Sequence, residues 1–224
     1  MTKKITIPLA IILAGSVVAI TIYIQNRPDK DSNQITSSSK PLDIRPIDET
    51  DHIMGNPSAE IIILEYIDTS CPACRSLHET MKVVMEKYGN LGQVAWVQRH
   101  LPSFPNSKIE AESLECVVEL GGKSKFWAYL ENLYTAKDDG PVETKDLTLI
   151  AEKVMIDREE FDTCIKSGRH AERIEMDFQE AIRLGAIGTP FTLIISTNNN
   201  THRSFTGTIQ FETLDRNISS MLSI

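Results

Sequence analysis

The chain has 224 residues, 41% of them hydrophobic and 24% charged, with a formal net charge of −8. That is enough apolar sequence for one or two packed domains, and it excludes wholesale disorder. Residues 51–224 are the acidic part and carry no basic stripe, which excludes a phosphate-backbone partner, so no nucleic acid is expected.

Ile5 to Ile24 is a run of twenty residues without a charge. As a helix it would span roughly 30 Å, about one hydrocarbon core, which predicts a short tail and transmembrane anchor over residues 1–24. Lys3 and Lys4 precede the run, while Arg27 and Lys30 are mixed with Asp29 and Asp31 after it. This is a weak push toward a cytoplasmic N-terminus. A cleaved signal peptide is the competing reading, but the run is longer than a usual h-region and no A-x-A site follows. Either reading exports the rest of the chain. The expected location is the cell membrane, single-pass, with the body on the extracytoplasmic side.

Residues 25–50 read as a flexible polar linker, Ser-rich and broken by Pro28 and Pro41. The folded domain is expected over 51–224. Ile61–Ile67 is a β-branched run with apolar residues at both parities, as in a central strand buried on both faces. A helix should start after Cys71, with Pro72 at its first position. Leu77, Met81, Val84, Met85 and Tyr88 give it an apolar stripe, and Gly89 ends it. Residues 93–98 read as a second core strand. Helical patterns then fill 108–120, 124–135, 145–154, 158–166 and 170–184, the fourth opened by Asp157 with Glu160 three residues on. Strands at 191–196 and 202–205 flank an Asn-rich turn, and a last amphipathic helix covers 211–222.

Four cysteines in an exported chain suggest pairing. Cys71-Pro72-Ala73-Cys74 lies at a strand-to-helix junction. Unpaired N–H groups and the helix dipole there favour an anion, so Cys71 is expected to be a stabilised thiolate and the nucleophile. Cys74, one turn on, is expected to be more buried and to resolve the mixed disulfide. Half of a zinc site is the alternative, but it needs two further ligands, and no second short Cys/His pair exists. His52, His100, His170 and His202 show no ligand spacing. Glu65 sits in the apolar strand six residues before Cys71. A buried carboxylate there would have a raised pKa and could move the Cys74 proton, whereas at a strand edge it would simply reach water. Gly188-Thr189-Pro190 precedes a strand; by itself it reads as an ordinary trans proline. Cys116 and Cys164 both fall on inward-facing helical positions. They are either two separate core thiols or, in an oxidising compartment, a structural disulfide, which is the expectation adopted.

These residues together resemble the DsbA family of thiol–disulfide oxidoreductases, in its membrane-anchored, BdbD-like branch. Gly55-Asn56-Pro57, Glu65, Asp68 followed by Cys71-Pro72-Ala73-Cys74, Arg99-His100-Leu101-Pro102, Phe126-Trp127 and Gly188-Thr189-Pro190 carry the resemblance, over about 50–224. It implies an α/β, thioredoxin-like fold with an inserted helical subdomain at about 107–185. It also implies that Glu65 is the acid beneath the dithiol and that Thr189-Pro190 is a cis loop facing it, with the Thr189 backbone pairing to bound substrate. No organic cofactor or metal is called for. Expected partners are exported polypeptides with free thiols and a membrane redox partner, DsbB- or VKOR-like, that reoxidises the dithiol; a monomer is expected. Phe104-Pro105 departs from the family's histidine-proline and is assigned no role. The resemblance favours an oxidase, because residues 25–50 are too short and polar for the dimerisation region of isomerases. A reductase or isomerase, or a non-enzymatic Cu(I)-binding module, are the alternatives.

Overall fold

The computed structural model describes residues 36–38, 42–137, 142–199 and 201–222. The expected anchor lies outside them. Among the described residues no helix is long and apolar enough to cross a membrane.

Strands β1 (Thr36–Ser38), β2 (His52–Gly55), β3 (Ile61–Ile67), β4 (Val94–His100), β5 (Phe191–Ser196) and β6 (His202–Thr206) form one sheet in the order β1-β6-β5-β3-β4-β2. Strands β3 and β4 are parallel, and β5 runs antiparallel beside β3. Every residue of β3 and β4 is buried, the polar Glu65, Gln98, Arg99 and His100 included. The β3–β4 crossover is helix α1 (Pro72–Val84), continued by a π-helical turn over Met85–Gly89.

Alternation along β3 sends Ile61, Ile63 and Glu65 to one face and Ile62, Leu64 and Tyr66 to the other. The first face packs with Leu77 and Met81 of α1 and with Leu214 and Ile218 of the last helix, α7 (Phe211–Leu222). The second packs with Ala181 of α6 (Ala171–Arg183). Glu65 is therefore the polar residue in a face otherwise closed by α1.

Helices α2 (Ser107–Gly121), α3 (Ser124–Ala136), α4 (Thr144–Lys153) and α5 (Arg158–Ser167) build a separate core around Leu114, Val117, Phe126, Tyr129, Leu130 and Phe161. Asp157 caps α5 by accepting from the N–H groups of Glu159 and Glu160, and Gly168 closes it in the left-handed region at φ 59°. Cys116 and Cys164 form a disulfide that joins α2 to α5, with the Cα atoms 5.8 Å apart.

The N-terminal boundary needs correction. Residues 42–50, expected to belong to a flexible linker, pack on the domain, with Leu42, Ile44 and Ile47 against the α6 side of the core. Thr36–Ser38 adds an edge strand to β6. The physical reason is a buried charge cluster. Arg99 is almost fully buried and donates to Asp51 at 2.8 and 2.9 Å and to Glu180 at 2.6 Å. Arg45 shares Glu180 and pairs with Asp177, and its own backbone N–H donates to Glu180 at 2.6 Å. Truncating any member would strand buried charge, so this segment is tied to α6.

Candidate active site

Strand β3 ends at Ile67, and Asp68 organises the loop that follows. Its carboxylate accepts from the backbone N–H of Ser70 at 2.8 Å and of Phe104 at 2.9 Å, and from the Ser107 hydroxyl at 2.6 Å. Its own N–H points at Cys74 Sγ, 3.5 Å away. Asp68 thus binds the loop before Cys71 to the loop entering the helical insertion. Phe104, which had no assigned role, is held here by its backbone and is an exposed hydrophobic residue, 48% accessible.

Cys71 is the N-cap of α1, with extended backbone (φ −83°, ψ 119°) and Pro72 in the first turn. The proline supplies a fixed φ and removes one N–H that no helical carbonyl would accept. Both cysteines are free thiols, and Cys74 is the more buried of the two. Their properties diverge. A hydrogen bond with Cys74 is the chief force pulling the Cys71 pKa down, to about 5; burial opposes it, and Thr189 and the backbone N–H groups of Cys74 and Ala73 assist. Burial, then the hydrogen bond and charge of Cys71, push Cys74 well above the usual thiol range. Two thiols three residues apart are thereby divided into a thiolate nucleophile and a protonated reserve.

The Thr189-Pro190 peptide bond is cis, as the resemblance implied and the local sequence did not. Its loop faces the dithiol: Cys71 Sγ lies 3.4 Å from the Thr189 carbonyl oxygen. Glu65 is fully buried, and desolvation raises its pKa to about 7 even though Trp96 Nε1 (2.8 Å) and Gln98 Nε2 (3.3 Å) both donate to Oε2. The edge-strand alternative for Glu65 is thus excluded. Its charge is among those raising Cys74, which puts acid and thiol within electrostatic reach.

Helix α2 supplies a residue that the sequence did not single out. Glu110 is buried, accepts from Thr69, from Ser70 Oγ at 3.0 Å and from Lys137 Nζ at 2.7 Å, and so clamps the 69–70 loop to the insertion. Nothing in the α2 sequence marks it; Glu110, Glu112 and Glu115 look like a solvated face, yet all three are buried. A cavity of about 340 Å³ opens beside Cys71, lined by Ser70, Pro72, Arg75, Asn106, Lys137 and Val142 among others. His52 and His100, which lack ligand spacing in sequence, are brought together on Glu115 Oε1, each at 2.7 Å, with Arg173 at 3.0 Å. The arginine on the same oxygen makes this a buried ion-pair cluster between sheet and insertion. Cys116 and Cys164 stand apart from the dithiol as a structural crosslink.

A thiolate-tuned dithiol at a helix start, opposite a cis-proline loop and above a buried acid on a mixed sheet, defines a thioredoxin-fold protein with a thiol–disulfide exchange site. Comparison with known proteins agrees. A thioredoxin family model matches residues 48–219, and the chain belongs to that family. Within it the fold is DsbA-like. Wolbachia pipientis alpha-DsbA1 is similar to 79% of this chain and 92% of its own, at 21% identity and a TM-score of 0.68. BdbD from Bacillus subtilis is similar over 82% and 99%, at 16% identity and a TM-score of 0.69. A Na(+)/H(+) antiporter NhaA from Herminiimonas arsenicoxydans is 30% identical over 146 residues, 65% of this chain. The chain spans only 22% of that protein's length.

Proposed function

We propose that the chain is an oxidase of protein thiols that acts outside the cytoplasm through Cys71 and Cys74. The observation that carries this reading is the division of the pair: Cys71 lowered to about 5, Cys74 raised by burial. A stabilised Cys71 thiolate is a good leaving group, which makes the disulfide form oxidising.

In the oxidised enzyme a substrate thiolate attacks Sγ of Cys71. The Cys71–Cys74 bond breaks, and Cys74 leaves with the electron pair and takes a proton, with Glu65 as the nearby acid. A second substrate thiolate then attacks the substrate sulfur of the mixed disulfide, and Cys71 departs as its thiolate. Two substrate thiols become one disulfide, and the enzyme holds two electrons as the dithiol. A disulfide-bearing membrane partner accepts them and restores the Cys71–Cys74 bond. The cis loop at Thr189-Pro190 positions an extended substrate, whose backbone pairs with Thr189. Residues 5–24 anchor the domain to the membrane, and the Cys116–Cys164 crosslink suits an oxidising compartment.

The deciding measurement is the reduction potential of the Cys71/Cys74 couple, taken together with turnover of a reduced, unfolded polypeptide. A potential in the range of roughly −120 to −180 mV with catalytic disulfide formation is expected. A value near roughly −270 mV, that of thioredoxin, with no net oxidation would replace the oxidase by a reductase.

A further inference from the structure

Several buried polar atoms beneath the dithiol have no protein partner among the described residues: Glu65 Oε1, Gln98 Oε1, Thr192 Oγ1, Tyr134 Oη and His78 Nδ1. Strand register places Gln98 and Thr192 on either side of Glu65. The His78 and Tyr134 rings pack 5.1 Å apart between α1 and α3. His78 also lies 5.1 Å from Trp96, whose indole N–H holds the other oxygen of Glu65. The Tyr134 phenol is pushed well up by burial and then by the charges of Cys74, Glu65, Asp68 and Cys71.

The other end of this row reaches water. His78 Nε2 is 2.9 Å from Glu131 Oε2, and the Glu131 side chain is 45% exposed. An ionised carboxylate only accepts, so Nε2 carries the hydrogen and the buried Nδ1 is an open acceptor. Burial lowers the His78 pKa against the pull of Glu131 and Glu79 and with the help of Lys82, which keeps the ring neutral at pH 7. A surface cleft of about 270 Å³, lined by Glu79, Glu131, Tyr134 and Thr135, opens at the same place. Buried polar atoms of this kind are ordinarily bridged by ordered water.

We propose that Tyr134, His78 and Glu131 are the proton outlet of the dithiol, connecting Cys74 and Glu65 to solvent between α1 and α3. This inference rests on the thiol–disulfide exchange proposed above. When Cys74 attacks the Cys71 mixed disulfide, its S–H proton passes to Glu65. A proton then moves by way of the Tyr134 hydroxyl and bridging water onto His78 Nδ1, and the Nε2 proton leaves to Glu131 and the cleft. When Cys74 departs as a leaving group, the same row delivers a proton inward. Electrons stay on sulfur throughout; the row carries protons only. His78, Tyr134 and Glu131 act through Cys74 and Glu65 and touch no substrate.

A purely structural His78–Glu131 pair would hold α3 against α1 and leave the pH profile alone. The test mixes full-length dithiol protein with oxidised glutathione and follows the second glutathione released, which reports Cys74 attacking the Cys71 mixed disulfide. His78→Gln keeps a donor to Glu131, and Tyr134→Phe keeps the ring. With native near-UV circular dichroism, each is expected to slow this step by at least ~10-fold near pH 7. Each should also change the profile from a titration near 7 to a steady rise with hydroxide. Wild-type rates in both variants, or slowing by one factor at every pH, would overturn the proposal. Should His78→Gln not fold, Tyr134→Phe decides alone. Glutathione reports Cys71–Cys74 chemistry alone, so failure to oxidise polypeptides would remove the oxidase function and leave this test standing.

Discussion

Cys71 and Cys74 lie within one turn at the start of α1, beside Thr189 and above the Glu65 face, whereas Cys116 and Cys164 are 48 residues apart and join two helices of the insertion. All four are buried, and all four touch the same apolar cluster. Burial alone therefore does not make a cysteine reactive. Cys71 sits at a helix start beside the Thr189 carbonyl, with Glu65 in electrostatic reach of Cys74, whereas Cys116 and Cys164 lie inside α2 and α5 and are bonded to each other. One pair is tuned for exchange, and the other closes a long loop.

Three experiments break or sharpen that contrast. The largest effect belongs to the first pair. Cys71→Ser removes the nucleophile and should abolish disulfide exchange, a loss of at least about 10³-fold. Cys74→Ser should instead accumulate mixed disulfides between Cys71 and substrate, visible on non-reducing gels. Mixed disulfides formed through Cys116 or Cys164 would erase the distinction.

The second pair should show its effect in stability. Replacing Cys116 and Cys164 by alanine opens a 48-residue separation and should cost about 4 kcal/mol in the chain-entropy picture. Denaturant unfolding reads the loss, and the Cys71 alkylation profile, with an expected midpoint of about 5, should stay in place. A shifted midpoint would mean that the crosslink tunes the redox site.

The smallest of the three concerns Glu65. Its folded pKa of about 7 exceeds the usual 4.5, so the folded state binds the proton more tightly than the unfolded state does. The associated stability is full below about 4.5 and is lost as pH rises through 7. Glu65→Gln removes that loss. It should be more stable than wild type at pH 8, by up to about 3 kcal/mol, and show little difference at pH 4. Exchange through Cys74 should slow in the same variant. An unchanged pH dependence of stability would show that Glu65 reaches water.

Much of this protein is legible along the chain, because the relevant physics is local. The β-branched run at Ile61–Ile67, the proline after Cys71, the capping Asp157 and the helical periods of the insertion each place an element within a few residues of its observed bounds. The redox character of Cys71-Pro72-Ala73-Cys74 follows from a helix start, which is also local. Tertiary structure alone decided the remainder. The cis form of Thr189-Pro190 has no local signal, since an isolated proline favours trans. Residues 42–50 look like linker because their partners, Asp177 and Glu180, lie more than a hundred residues away. Glu110, Lys137, Tyr134 and His78 carry no motif; they matter only because α2 and α3 fold back over the start of α1. Local sequence placed the nucleophile at a helix start with Cys74 in hydrogen-bond reach, and long-range packing supplied the burial that raises Cys74, the facing Thr189 carbonyl and the buried acid Glu65.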